Sequence, residues 1–143
     1  MKNAEYFTYP RRVAFSDTDA MGVVHHANYL RYVEEARVHW MREHGLSRTH
    51  FPHSDRVLAV LHYQMWHYKP AAFDDLLEVR LQVRRQGLKI HFQYAIYRGE
   101  LHLADAETLH IPVDAELKPV RPNPILLERL EKEKWTETWL SNS

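Results

Sequence analysis

Two alternating stretches separated by one tight turn restrict the chain more than any other feature. Over residues 77–84, Leu77, Val79, Leu81 and Val83 alternate with Glu78, Arg80, Gln82 and Arg84. Over residues 88–97, Leu88, Ile90, Phe92, Tyr94 and Ile96 alternate with Lys89, His91 and Gln93. A period of two places one set on each face of a strand, and Gln86-Gly87 between the runs reads as a hairpin turn. Antiparallel strands with one apolar face need that face covered. Residues 27–44 offer the cover. Tyr29/Leu30, Val33, Ala36/Arg37 and Trp40/Met41 recur at helical spacing, while Arg31, Glu34, Glu35, Arg42 and Glu43 fill the opposite side. His44-Gly45 supplies a stop, and the helix would run about 27 Å at ~1.5 Å per residue.

The remaining elements fall into place around that pair. Residues 1–10 read as a lead-in and residues 12–16 as a first strand, followed by a polar loop over residues 16–22. Residues 57–66 form a mixed apolar strand that Tyr68-Lys69-Pro70 ends or bends, because proline cannot donate to a ladder. Phe73-Asp74-Asp75 reads as a turn, and so does Arg98-Gly99-Glu100. Residues 101–114 make the last strand, ended by the prolines between 119 and 124. Residues 125–140 read as a charged amphipathic helix with Ile125, Leu126, Leu130, Trp135 and Trp139 on its apolar side. That helix is expected to pack on the sheet or on a partner subunit. The expectation is an α+β chain forming one domain over residues 1–143, with five antiparallel strands and one long covering helix.

Composition narrows the function. The chain has 143 residues and equal numbers of basic and acidic side chains, 19 of each, which argues against a protein that grips nucleic acid or an anionic membrane. With no cysteine, disulfides, thiolate metal sites and a cysteine nucleophile are excluded. No secretory leader and no apolar run of membrane-spanning length is expected, so the expected location is the cytoplasm.

Chemistry concentrates in residues 15–29, FSDTDAMGVVHHANY. Asp17 and Asp19 lie in a loop, Gly22 follows, and His25 and His26 stand just before the helix. A loop carboxylate aimed at a helix start, where N–H groups are unpaired and the dipole is positive, suits acyl transfer. On spacing alone Asp19 reads as a turn or cap carboxylate. Asp17 reads as structural, His26 as a helix-start residue and His25 as an exposed neighbour. A metal held by Asp17, Asp19, His25 and His26 is the weaker alternative, since adjacent helical residues do not share a face.

Phe15, Asp17, Thr18, Asp19, Gly22, Val23, Val24, His26, Asn28 and Tyr29, followed by Glu34, Ala36 and Arg37 on the helix, resemble the signature of the 4-hydroxybenzoyl-CoA thioesterase family. The likeness is greatest to the acyl-CoA thioesterases of bacterial Tol–Pal gene clusters. It extends over about residues 10–125 and takes in Tyr68–Asp75 and Ala106-Glu107. The resemblance implies a hot-dog fold, a sheet wrapped around the long helix. It implies a homodimer or homotetramer with sites between subunits, and hydrolysis of a small or medium acyl-CoA. Asp19 and His26 map to its catalytic residues, and the backbone N–H near His26 maps to its oxyanion donor. Phe15, Gly22, Asn28 and Tyr29 map to the substrate site, although many relatives carry Tyr where this chain has Phe15.

Arg84, Arg85 and Lys89 flank the hairpin turn. They read either as grips for the phosphates of coenzyme A or as a solvated tip. Tyr63, Trp66 and Tyr68 read as core or as the wall of an acyl tunnel. No metal or separate cofactor is implied, coenzyme A being part of the substrate. The rival readings are hydrolysis of acyl groups on a carrier protein, and an acyl-ligand-binding protein without catalysis.

Overall fold

In the computed structural model the described residues are 6–46, 57–137 and 139–140. The elements run β1 (Phe7–Arg12), α1 (His26–Glu43), β2 (Val57–His67), β3 (Leu76–Gln86), β4 (Lys89–Arg98), β5 (Leu101–Val113) and α2 (Pro124–Lys132). The strands form one antiparallel sheet in the order β1-β3-β4-β5-β2. The two alternating stretches are its centre. β3 and β4 pair from Glu78↔Tyr97 to Gln86↔Lys89, so the turn at Gly87 fixes the register, and Gly87 takes a φ of 63° that other residues resist.

The faces divide as the alternation requires. Leu77, Val79, Leu81 and Val83 of β3 and Ile90, Phe92, Tyr94 and Ile96 of β4 are buried in one core with Tyr29, Tyr32, Val33, Ala36 and Trp40 of α1. Trp40 meets Phe92 edge-on at 5.7 Å. Each such side chain contributes about 1.5–3 kcal/mol by leaving water, and this face-to-helix contact is what holds α1 against the sheet. A long helix covered by a five-stranded antiparallel sheet is the hot-dog arrangement that the resemblance implied.

Three expectations need correction. The first strand lies at Phe7–Arg12, inside the expected lead-in and before residues 12–16. It pairs only with β3, so Pro10 needs no second neighbour and is tolerated at the sheet edge. Phe15–Asp17 is instead a short 3-10 turn, because the Asp17 carboxylate accepts the Ala14 N–H at 3.0 Å and curls the chain back.

The C-terminal helix ends at Lys132, not at residue 140. Glu133 is extended, the Gln82 side-chain amide pairs with the Thr136 backbone in both directions, at 3.0 and 2.9 Å, and the Thr136 carbonyl also accepts the Trp139 N–H at 3.3 Å. Trp135 lies beneath the Arg84 guanidinium at 4.1 Å, and Trp139 meets Tyr6 edge-on at 4.7 Å. The tryptophans sit four apart, as on a helix face, yet both lie beyond the helix, where Trp135 packs under Arg84 and Trp139 against Tyr6.

Candidate active site

The loop between β1 and α1 is built on Asp17. Its side chain is 2% exposed and accepts from the Tyr32 hydroxyl at 2.7 Å, the Ala14 N–H and the Arg31 guanidinium. Arg11, itself bonded to Glu35 at 2.8 Å, stands 3.6 Å away. Burial pushes the Asp17 carboxyl up, but the Tyr32 and Ala14 hydrogen bonds and the Arg31 and Arg11 charges outweigh it and hold the group below its usual range. The Asp17 carbonyl accepts from the His25 N–H at 2.9 Å and from Asn28 Nδ2 at 2.8 Å. Asp17 therefore ties the loop to the first turn of α1.

Asp19 is placed by a tight turn. Its N–H donates to the Val23 carbonyl at 2.9 Å, and its carbonyl accepts from the Gly22 N–H at 3.0 Å. Gly22 has a φ of 80°, which favours glycine there. One carboxylate oxygen, Oδ1, accepts the Met21 N–H at 2.8 Å. Among the described residues no hydrogen bond engages Oδ2, which leaves an acceptor for chemistry. Bridges Thr18↔Val24 and Val23↔Ala72 hold this turn against the segment after β2.

His25, read as a bystander from the sequence, caps α1: its Nδ1 accepts the Ala27 N–H at 3.2 Å and its carbonyl accepts the Asn28 N–H at 2.9 Å. These bonds satisfy two of the first donors of the helix. The N–H of His26, the first helical residue, has no protein partner among the described residues and stands at the positive end of the helix. The His26 imidazole stacks on His25 with centroids 4.2 Å apart.

His26 also lines a cleft of about 290 Å³ with Val24, Tyr29, His67, Tyr68, Lys69 and Pro70. Tyr29 is buried, its hydroxyl accepts the Ala71 N–H at 3.0 Å, and its ring meets His67 at 4.9 Å. Burial raises the Tyr29 phenol, with Asp75 and Asp19 adding to the rise against the Ala71 hydrogen bond and the Arg98 charge. Burial, and then the nearby His26, lower the pKa of His67 and favour its neutral form.

The remaining sequence candidates separate. Asn28 directs its amide to the loop rather than to the cleft. Phe15 is 75% exposed and meets Phe73 edge-on at 5.7 Å, and Met21 in the following turn is 84% exposed. Arg84, Arg85 and Lys89 are not brought to this cleft within the chain: they sit at the far end of β3, about 30 Å from its Leu76 end at ~3.3 Å per residue. There Arg84 engages Trp135, Glu137 and His91, and Arg85 donates to the Gly87 carbonyl at 2.6 Å.

Among the described residues that line the cleft, the lysine is Lys69; neither it nor His67 stands out as a site residue in the sequence. Lys69 nevertheless falls within Tyr68–Asp75, the stretch that the resemblance takes in, and beside Pro70, which follows the end of β2. Among the described residues no three His, Asp or Glu side chains converge as a metal site would need.

Comparison with known proteins supplies the context for this geometry. The family model for the thioesterase-like superfamily matches residues 13–130. The chain is 34% identical over 130 residues to the acyl-CoA thioester hydrolase YbgC of Escherichia coli, covering 88% of this chain and 97% of that one. Among solved structures, a hypothetical protein from Aquifex aeolicus superposes with a TM-score of 0.81 at 34% identity, over 87% of this chain and 98% of that one. A 1,4-dihydroxy-2-naphthoyl-CoA thioesterase from Synechocystis superposes with a TM-score of 0.80 at 28% identity, over 87% and 95% of the two chains.

Proposed function

Because the chain belongs to the thioesterase-like superfamily, we propose that it is an acyl-CoA thioesterase in which Asp19 is the catalytic carboxylate and the start of α1 receives the oxyanion. The substrate is a small or medium acyl-CoA. One set of features supports the reading: a turn in the loop that leads into α1 presents Asp19 with an uncommitted oxygen, and the first residue of α1, whose N–H is also uncommitted among the described residues, lines a cleft.

The chemistry asks little of the protein. A thiol pKa near ~8.5 makes the thiolate a good leaving group, so no strong acid is needed. The thioester carbonyl accepts the His26 N–H, which strengthens as negative charge develops on the oxygen. Asp19 then acts in one of two ways. It attacks the carbonyl carbon, expelling coenzyme A as thiolate and leaving an anhydride that water splits. Otherwise it takes a proton from the water that attacks.

Both routes end on the free acid and the thiol. The His26 imidazole positions the thioester, Tyr29 and Phe15 contact the acyl side, and Gly22 keeps the turn tight. Asn28 acts through the loop. Lys69 offers a cation to the anionic part of coenzyme A. Arg84, Arg85 and Lys89 can reach the same molecule only if another subunit brings its hairpin tip to this cleft. The reaction so drawn uses no metal or separate cofactor.

The proposed assembly is a homodimer, or a dimer of dimers, joined along β2. That strand is 11 residues long, lies at the sheet edge, and leaves Val60, Leu61 and Tyr63 each half exposed or more. A long apolar edge is a template for pairing. Among the described residues no helix is long and apolar enough to cross a membrane, and the balanced charge gives no footprint for nucleic acid. The proposed compartment is the cytoplasm.

Thiol release from a panel of acyl-CoAs tests the catalytic reading. Asp19→Asn is expected to lose at least ~100-fold in kcat, the scale of a lost positioned base, while melting as the unaltered chain does. Undiminished turnover by that variant on every substrate removes the proposal.

A further inference from the structure

One wall of the cleft is held from the opposite face of the sheet. Tyr68 lines the cleft, yet its hydroxyl is committed elsewhere: it donates to Asp105 Oδ2 at 2.9 Å. Asp105 shares its strand face with Glu107, whereas Ala104 and Ala106 point into the core. Its side chain is nevertheless fully buried, and Oδ1 lies 2.7 Å from His102 Nε2. The His102 ring meets Tyr68 at 5.1 Å and stacks on Tyr97 at 4.6 Å, and Arg80 covers Tyr97 at 4.0 Å.

A buried carboxylate is costly, and well-packed apolar groups commonly serve stability as well or better. The Asp19–His26 chemistry does not use Asp105, so its presence calls for another reason. Backbone bonds reinforce the same point on the fold: the N–H groups of Tyr68 and Lys69 both donate to the Leu103 carbonyl, between His102 and Ala104. The end of β2 that carries the cleft residues is thus fastened to the start of β5 through both backbone and side chains.

We propose that Asp105 and His102 are positioning residues for the cleft, holding Tyr68, and with it Lys69, in the orientation that receives the acyl-CoA. The proposal rests on the reading that this cleft takes the thioester. Burial, the Asp105 hydrogen bond and the Asp105 charge push the Tyr68 phenol up to about 12, so Tyr68 stays a donor to Asp105 under ordinary conditions. Tyr68 therefore serves as a fixed wall of the cleft.

Tyr68→Phe, Asp105→Asn and the double variant test this in the full chain. The readouts are the Kd for a non-hydrolysable thioether analogue of acyl-CoA and the steady-state constants for thiol release. Each single change is expected to raise Kd and KM about five- to tenfold, the scale of one charge-assisted hydrogen bond, with kcat within about twofold. The double variant is expected to be no worse than the weaker single, because both changes remove the same interaction.

Unchanged Kd and KM in the singles, with or without a lower melting temperature, overturn the proposal, and so do losses that add in the double variant. If Asp105→Asn fails to fold, Tyr68→Phe, which removes one oxygen, decides alone. Asp19→Asn measured alongside keeps the two readings apart. Its full turnover sinks the catalytic role of Asp19, while the Kd series still decides the role of Asp105.

Discussion

Asp17 is the residue through which the loop before α1 is fastened to its neighbours. Its carboxylate joins β1, the 3-10 turn and α1 through Arg11, Ala14, Arg31 and Tyr32. Replacing it by Asn leaves the Arg11 and half-exposed Arg31 guanidinium groups facing a neutral amide, expected to cost about 1–3 kcal/mol. Its folded pKa is lowered from 3.8, so the folded state favours the ionised form. The stabilisation is therefore complete above the unfolded value and is lost as pH falls through the folded one. Urea unfolding followed from pH 5 downward is expected to show stability dropping below about pH 4. In Asp17→Asn that segment of the curve flattens. An equally steep fall in the variant would mean that other carboxylates carry the acid sensitivity.

At the scale of elements, the sheet has two unequal faces. The apolar face meets α1. The polar face carries the segment that follows α2, pinned where the Gln82 amide pairs with the Thr136 backbone and where Arg84 and His91 hold Trp135. Gln82 is nearly buried and also donates to Gln93 at 2.7 Å. Gln82→Ala is expected to cost about 1–3 kcal/mol by leaving the Thr136 backbone groups and Gln93 without that partner. It should also expose the tail to limited proteolysis after Lys132 or Lys134, with cleavage read by mass spectrometry. Protection equal to that of the unaltered chain would show that the tryptophans alone hold the tail. Arg84 belongs to this fastening, and its mutation is expected to loosen the tail as well as remove a cation.

For the whole molecule, the two sheet edges differ in kind. β1 is short and interrupted by Pro10, which blunts pairing, whereas β2 is long and apolar. Proposed pairing through β2 would put two clefts close to one shared seam, since His67, Tyr68 and Lys69 lie at the end of the same strand. Val60→Lys places a charge on that edge and is expected to shift the chain toward monomer in light scattering, with a loss of activity at dilute concentration. A variant that keeps the parent mass places the interface elsewhere.

Much of this was written in the chain. Period-two alternation over β3 and β4, the Gly87 turn and the three-four spacing of α1 are local patterns, and local sterics and burial suffice to read them. The spacing from Phe15 to Tyr29 likewise marked the loop and helix start. Tertiary structure decided what local pattern cannot carry. Asp17 became a buried pin because Arg11 and Tyr32 approach from other elements. His25 became a cap because the chain enters α1 in an extended conformation. Trp135 and Trp139 left the helix because Gln82, some fifty residues away, offered the backbone a better partner. Lys69 reached the cleft, and Arg84 did not, because opposite ends of the sheet are fixed by strand register, a property of the paired strands that no one strand contains.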